Sequence, residues 1–174
     1  MKKMTMLMIG LLVAMGSTDL LAQAMKIGYV NSDRILAEFD EAKEAQRKLD
    51  VEAKKLEDEY RGLLNKLDSL SRDFERQKMI MSESRRLTKE NEITQLQQSI
   101  QRYQIEKMGP EGEIYKKQAE LVGPVLEKIK AVIEKVGKEN KYDYIFDTVA
   151  GNILYAEPVH DLTDKVLYEL KRSN

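Results

Sequence analysis

The feature that most limits what this chain can fold into is an apolar seam running from Ile35 to Phe74. Alternating steps of four and three residues land on Ile35, Phe39, Ala42, Gln46, Leu49, Ala53, Leu56, Tyr60, Leu63, Leu67, Leu70 and Phe74, of which only Gln46 is polar. The residues between them are mostly Lys, Arg, Glu and Asp. A stripe this narrow is the pattern of a coiled coil rather than of a broad-faced globular helix. Forty residues of helix make an arm of roughly 60 Å. The seam requires a second helix against it, since a lone helix is marginal in water.

Past Phe74 the same steps reach Gln77, Met81, Ser84, Thr88, Asn91 and Gln95, which are largely polar, and a new seam of Ile93, Leu96, Ile100 and Tyr103 appears out of phase. This shift predicts a reversal between Gln77 and Thr88 that returns the second helix along the first. The alternative is one continuous rod with a stutter. Gly109-Pro110-Glu111-Gly112 should interrupt the returning helix, because Pro110 has no N–H to give the carbonyl of Glu106. Apolar spacing resumes with Ile114, Leu121, Val125, Ile129, Val132 and Val136, and Gly123-Pro124 begins a new helical piece. Gly137 and Asn140 mark its end.

The strand signals lie at the two ends of the chain. Lys26–Val30, Tyr142–Thr148 and Ile153–Tyr155 read as strands, the last two joined by a turn at Ala150-Gly151-Asn152. Asn31 or Ser32 should cap the long helix, which the seam carries on to Phe74. Asp161 should cap a last helix with an apolar face of Leu162, Val166, Leu167 and Leu170. The fold class is thus α+β, mostly α. Residues 25–40 and 120–174 form a small α/β base, and residues 41–119 form a helical-hairpin arm. A base of about 70 residues is marginal as a single core without disulfides or metal. The subunit is therefore expected to depend on association with copies of itself.

Lys2 and Lys3, an apolar run from Met4 to Gly16, and Ala22-Gln23-Ala24 before Met25 make an export signal over residues 1–24, cleaved after Ala24. The run is too short to span a bilayer. No cysteine is present, which excludes disulfides, thiolate metal sites and a lipid-modified cysteine. Without residues 1–24 the chain carries 27 Lys and Arg against 29 Asp and Glu. That near-neutral balance argues against nucleic-acid binding as the main task.

The whole exported chain resembles the Skp/OmpH family of periplasmic chaperones. The likeness rests on Lys26-Ile27-Gly28-Tyr29-Val30-Asn31, the charged helical hairpin, Lys141-Tyr142-Asp143-Tyr144-Ile145-Phe146-Asp147, and Asp161-Leu162-Thr163-Asp164-Lys165-Val166-Leu167. The resemblance implies a jellyfish-like homotrimer whose sheets assemble into a base from which three arms project around a cavity. Unfolded outer-membrane β-barrel proteins would be held there without ATP, in the periplasm. The Gly109–Gly112 break departs from the family pattern and suggests an arm that bends at a fixed place.

Catalytic signals are absent from the sequence. His160 is the sole histidine, and with no cysteine or second histidine it reads as a solvated surface residue. The carboxylates stand four residues from Lys or Arg as solvated helix pairs. Gly137-Lys138 lacks the rest of a phosphate loop. An enzyme and a cofactor are not expected. The arm tip is the candidate contact site for clients or membrane. Between Arg76 and Lys89, the basic residues Arg76, Lys78, Arg85, Arg86 and Lys89 face Glu83 alone, around Met79-Ile80-Met81. Methionine adapts to varied apolar partners, and basic residues near an anionic surface contribute about 1 kcal/mol each. The resemblance adds a proposed lipopolysaccharide site of basic residues near the arm, which Lys78, Arg85 and Arg86 match loosely.

The resemblance therefore implies an ATP-independent holdase, with unfolded outer-membrane proteins, anionic lipid or lipopolysaccharide, and its own copies as partners. The alternative is a structural coiled-coil spacer of the envelope with a fixed partner.

Overall fold

The computed structural model describes residues 25–173, so the leader anticipated over residues 1–24 lies outside the described residues. Ile27–Val30 forms strand β1 and Tyr144–Asp147 forms strand β2, paired in parallel with Ile27 opposite Tyr144 and Val30 opposite Asp147. Everything between them in sequence is helical hairpin and its return.

Asn31 leaves β1 in extended geometry and caps helix α1 (Ser32–Glu38), its Oδ1 accepting the Arg34 N–H at 2.9 Å. The anticipated single helix is in fact two. Phe39 breaks it with extended backbone (φ −84°, ψ 119°), and helix α2 runs from Asp40 to Gln77. No glycine or proline causes this. The bend lets Phe39 bury its ring, 1% exposed, in the base, with the Lys128 ammonium 5.5 Å from the ring centre. Burial of so large a ring outweighs one residue of helical propensity.

Helix α2 has 38 residues and is roughly 57 Å long. Its inner positions follow the seam with one shift: Ala45 is buried and Gln46 is exposed. Lys78–Ile80 turn as a short 3-10 segment, Met81 and Ser82 are extended, and helix α3 (Glu83–Tyr103) comes back. The reversal lies within the anticipated window, and α3 packs along α2. Ile100 and Leu56 are buried between them, while Ile93 and Leu96 are half-buried.

The returning rod then breaks where proline demanded it. Gln104–Met108 widen into a π-helical turn, and helix α4 (Glu113–Leu121) restarts beyond Gly112. A Cβ on Gly112 would sit 2.8 Å from backbone atoms of Lys107 and Gly109, so only glycine fits this close approach. Helix α2 passes the same level without interruption, so the break bends one rod of the pair and not the arm as a whole. Helix α5 (Gly123–Glu139) follows with proline in its first turn, and helix α6 (Thr163–Arg172) closes the chain.

The core sits in the base, where β1, α1, α5 and α6 converge. Val30, Ile35, Phe39, Val136, Val166 and Leu170 are each 3% exposed or less. All four residues assigned to the last helix's face (Leu162, Val166, Leu167, Leu170) are buried there. Gly28 lies so close to this layer that a Cβ would meet Leu162 Cδ1 at 2.8 Å and Tyr142 Cε1 at 2.9 Å. Asp161 accepts the Thr163 N–H at 2.8 Å through Oδ1, one residue earlier than a regular cap, because Leu162 stands in the cap position.

The strand anticipated at Ile153–Tyr155 does not form; among the described residues the sheet has two strands. That segment finds no backbone partner, and Leu154 and Tyr155 stand 97% and 82% exposed. Apolar spacing marked it for burial, but one copy of the chain offers nothing to bury it.

Candidate contact surfaces

Two clusters of exposed apolar side chains stand out among the described residues, one at the arm tip and one at the base. The first is the arm tip picked out from the sequence. The 3-10 turn between α2 and α3 leaves Met79 and Ile80 88% and 86% exposed, while Met81 is half-buried under the reversal. Seam positions cannot cover these two because the helices end beneath them.

The basic residues of the tip come together, but each brings an acid from just outside the window first considered. Arg76 pairs with Asp73, Lys78 with Glu75 at 2.6 Å, Arg86 with Glu83 at 2.8 Å, and Lys89 with Glu92 at 2.7 Å. From Asp73 to Glu92 the acids Asp73, Glu75, Glu83, Glu90 and Glu92 equal the five bases in number. Arg85 is exposed and makes no ion pair with a described residue. The tip is therefore an apolar point inside a neutralised collar, with one outward cation. Exposed pairs of this kind hold the collar only weakly, about 0–1 kcal/mol each.

The second surface was missed at the level of sequence. In β1 and β2 alternate residues face opposite ways. Val30 is buried toward the core and Ile145 packs against it, while Ile27, Tyr144 and Phe146 are 44–53% exposed on the other side. The Tyr144 and Phe146 rings stack at 6.1 Å. With Tyr29, Leu154 and Tyr155 this face borders a groove of about 760 Å³ that opens beside Met25. His160 lines the same groove as an exposed residue, in keeping with its surface reading. A signal was present: β1 and β2 carry apolar residues at both odd and even positions, as strands covered on both faces do.

Polar contacts fix the sheet's exit to the helices. Asp147 Oδ1 accepts the Ser32 N–H at 3.2 Å and the Val149 N–H at 3.1 Å, and the Thr163 hydroxyl, fully buried, accepts the Asn31 N–H at 3.0 Å. Burial opposes ionisation of Asp147, but the hydrogen bonds from Ser32 and Val149 outweigh it and hold its carboxyl below the ordinary value. On α6, Glu169 lies between Lys135 at 2.7 Å and Arg172 at 3.1 Å, and the bond from Lys135 lowers its pKa.

Midway along the arm, the Tyr103 hydroxyl lies 2.8 Å from Glu59 Oε2 and 3.1 Å from the Leu56 carbonyl, with its ring stacked on Tyr60 at 6.3 Å. Burial, and then the Glu59 carboxylate, push its pKa up to about 12. Across the break, Lys107 pairs with Glu113. No three His, Asp or Glu residues among the described residues could hold a metal ion, and no described helix is long and apolar enough to cross a membrane.

Comparison with known proteins gives one consistent result. The family described as outer membrane protein (OmpH-like) matches residues 26–170. A chaperone protein Skp from Yersinia enterocolitica is 26% identical over 149 residues, covering 86% of this chain and 88% of its own. An uncharacterised protein from Aquifex aeolicus is 27% identical over 143 residues, covering 82% of this chain and 84% of its own. An OmpH-like crystal structure from Caulobacter crescentus superposes with a TM-score of 0.70 at 17% identity, covering 86% of both chains. That superposition shows the fold: a mostly helical chain with a small strand pair and a long hairpin.

Proposed function

The chain belongs to the OmpH-like family, and from that premise we propose that it is a periplasmic holdase for unfolded outer-membrane β-barrel proteins. One observation carries the proposal: a bare apolar sheet face lies at the foot of a long, charge-covered arm. A two-stranded sheet is marginal by itself; this one exposes Ile27, Tyr144 and Phe146, and Leu154 and Tyr155 stand exposed beside it. Copies of the chain cover that face, and three of them set their arms around a shared space. The base corresponds to residues 25–40 and 120–174, and the arm to residues 41–119.

A barrel strand in water exposes alternating apolar residues and tends to pair with other strands. Arms with half-buried apolar seams and solvated flanks offer it many weak contacts. These sum to tight but reversible holding, which needs no nucleotide. Met79 and Ile80 at the tips add apolar contact, and Arg85, beside Lys78 and Arg86, adds attraction to anionic lipid or lipopolysaccharide. The leader over residues 1–24 would bring the chain to the periplasm and be removed after Ala24.

The test is aggregation of a denatured β-barrel protein diluted into buffer with the 25–174 chain and no ATP. Suppression at one assembled holdase per client supports the reading. Unchanged aggregation, with one stable envelope partner recovered instead, favours the spacer. The mass of the 25–174 chain in solution tests the assembly separately.

A further inference from the structure

The base groove opens where the described chain begins. Met25 itself lines it, so the groove lies at the point where residues 1–24 join the described chain. Thirteen apolar or small residues, Met4–Gly16, follow Lys2 and Lys3 and are separated from Met25 by the eight residues from Ser17 to Ala24. Eight residues reach at most roughly 28 Å, a tether short enough to hold the run within range of the groove. The groove matches it in chemistry. Ile27, Tyr29, Phe146 and Leu154 are among its apolar lining, and Glu157 is its one acidic lining residue, opposite in charge to the paired lysines at the leader's start.

We propose that in the uncleaved chain the Met4–Gly16 run occupies the base groove and keeps the subunit from joining its copies until the leader is removed. The inference rests on the assembly reading above, because the face it covers is the one assigned to neighbouring copies. A tethered segment competes at an effective concentration in the millimolar range, well above that of free subunits. An apolar segment lying in an apolar groove is a recurrent mode of recognition. Cleavage then does two things at once: it frees the face and removes the competitor.

The chain's lack of cysteine makes the test direct. The full 1–174 chain bearing Leu12→Cys and Leu154→Cys is refolded from denaturant at low concentration and oxidised, beside the 25–174 chain. The expected result is a disulfide within one chain and a half-assembly concentration raised about tenfold or more over that of 25–174. Leu11→Arg with Leu12→Arg in the cysteine-free full chain keeps the leader's length but spoils its apolar run, and is expected to assemble as 25–174 does. Failure of the disulfide to form within one chain, whether the precursor is soluble or aggregated, overturns the inference, as does equal assembly of the full chain and its arginine variant. If 25–174 itself stays a single subunit, the assembly reading falls, and the block on assembly falls with it, whatever the disulfide shows.

Discussion

The two halves of helix α2 follow one sequence pattern and meet different fates. Near the base, Ala42 and Ala45 belong to the base core, and Leu56 is buried beside the far end of α3, with Ile100. Toward the tip, Tyr60, Leu63, Leu67, Leu70 and Phe74 are half-buried against a single helix. A coiled-coil seam with one partner covers only one side of each knob, whereas the base closes around its residues from several elements. Most of the free energy of folding therefore resides in the base, and the outer arm is the first part to open. Under the proposed holdase reading, the arm that would meet varied clients is also the loosest part of the molecule.

The sharpest way to break this contrast is a pair of truncations. Leu170→Ala, at a fully buried base position, should cost about 2–5 kcal/mol, and Leu67→Ala in the outer seam about 1 kcal/mol, both read from urea denaturation. Equal losses would place the stability along the arm. A pair of glycines makes the same comparison with opposite signs. Gly28→Ala collides with Leu162 and Tyr142 and should cost about 1–3 kcal/mol. Gly62→Ala, with nothing within 4 Å, should stabilise α2 by up to about 1 kcal/mol.

Tyr103→Phe removes the hydroxyl that reaches Glu59 and Leu56 and should cost about 0.5–1.5 kcal/mol. Hydrogen exchange should quicken in the arm and stay unchanged in α6; the reverse would show that arm and base open together. Acid sharpens the contrast further. Asp147 and Glu169 both have native pKa values below their ordinary ones, so the stability they supply is present above about pH 4 and lost as pH falls through the lowered values. The base's melting temperature should drop below pH 4, and Asp147→Asn should flatten that slope. The smallest expected effect on stability is at the tip. Arg85→Glu with Arg86→Glu should leave melting unchanged and weaken retention on anionic vesicles several-fold; equal retention removes the tip from lipid contact.

Much of the arm was legible because its periodicity is local. The seam, the reversal after Gln77, the Pro110 break and the restart at Gly123 each follow from spacing within a few turns. The misses came where distant residues decide. Phe39 ends α1 because Lys128 and the base core receive its ring, and nothing in its neighbours announces that. Ala45 replaces Gln46 on the inner face, where it joins the base core while Gln46 stays exposed. Ile153–Tyr155 has the composition of a strand, but a strand also needs an edge to join. At the tip the sequence located the turn that leaves Met79 and Ile80 exposed, while counting charge over too short a window hid the acids that neutralise its bases. The groove's lining comes from both ends of the chain, so no contiguous stretch could reveal it.

The parallel pairing of β1 with β2 sets a clock on the molecule. Ile27 meets Tyr144 only after more than a hundred intervening residues have been made and delivered, so the first strand to emerge waits longest for its mate. The hairpin can zip in the meantime from neighbouring contacts, since short-range structure forms ahead of long-range closure. For that interval each nascent copy is an unfinished edge among other unfinished edges, exposed to the hazard from which it is proposed to shield other chains.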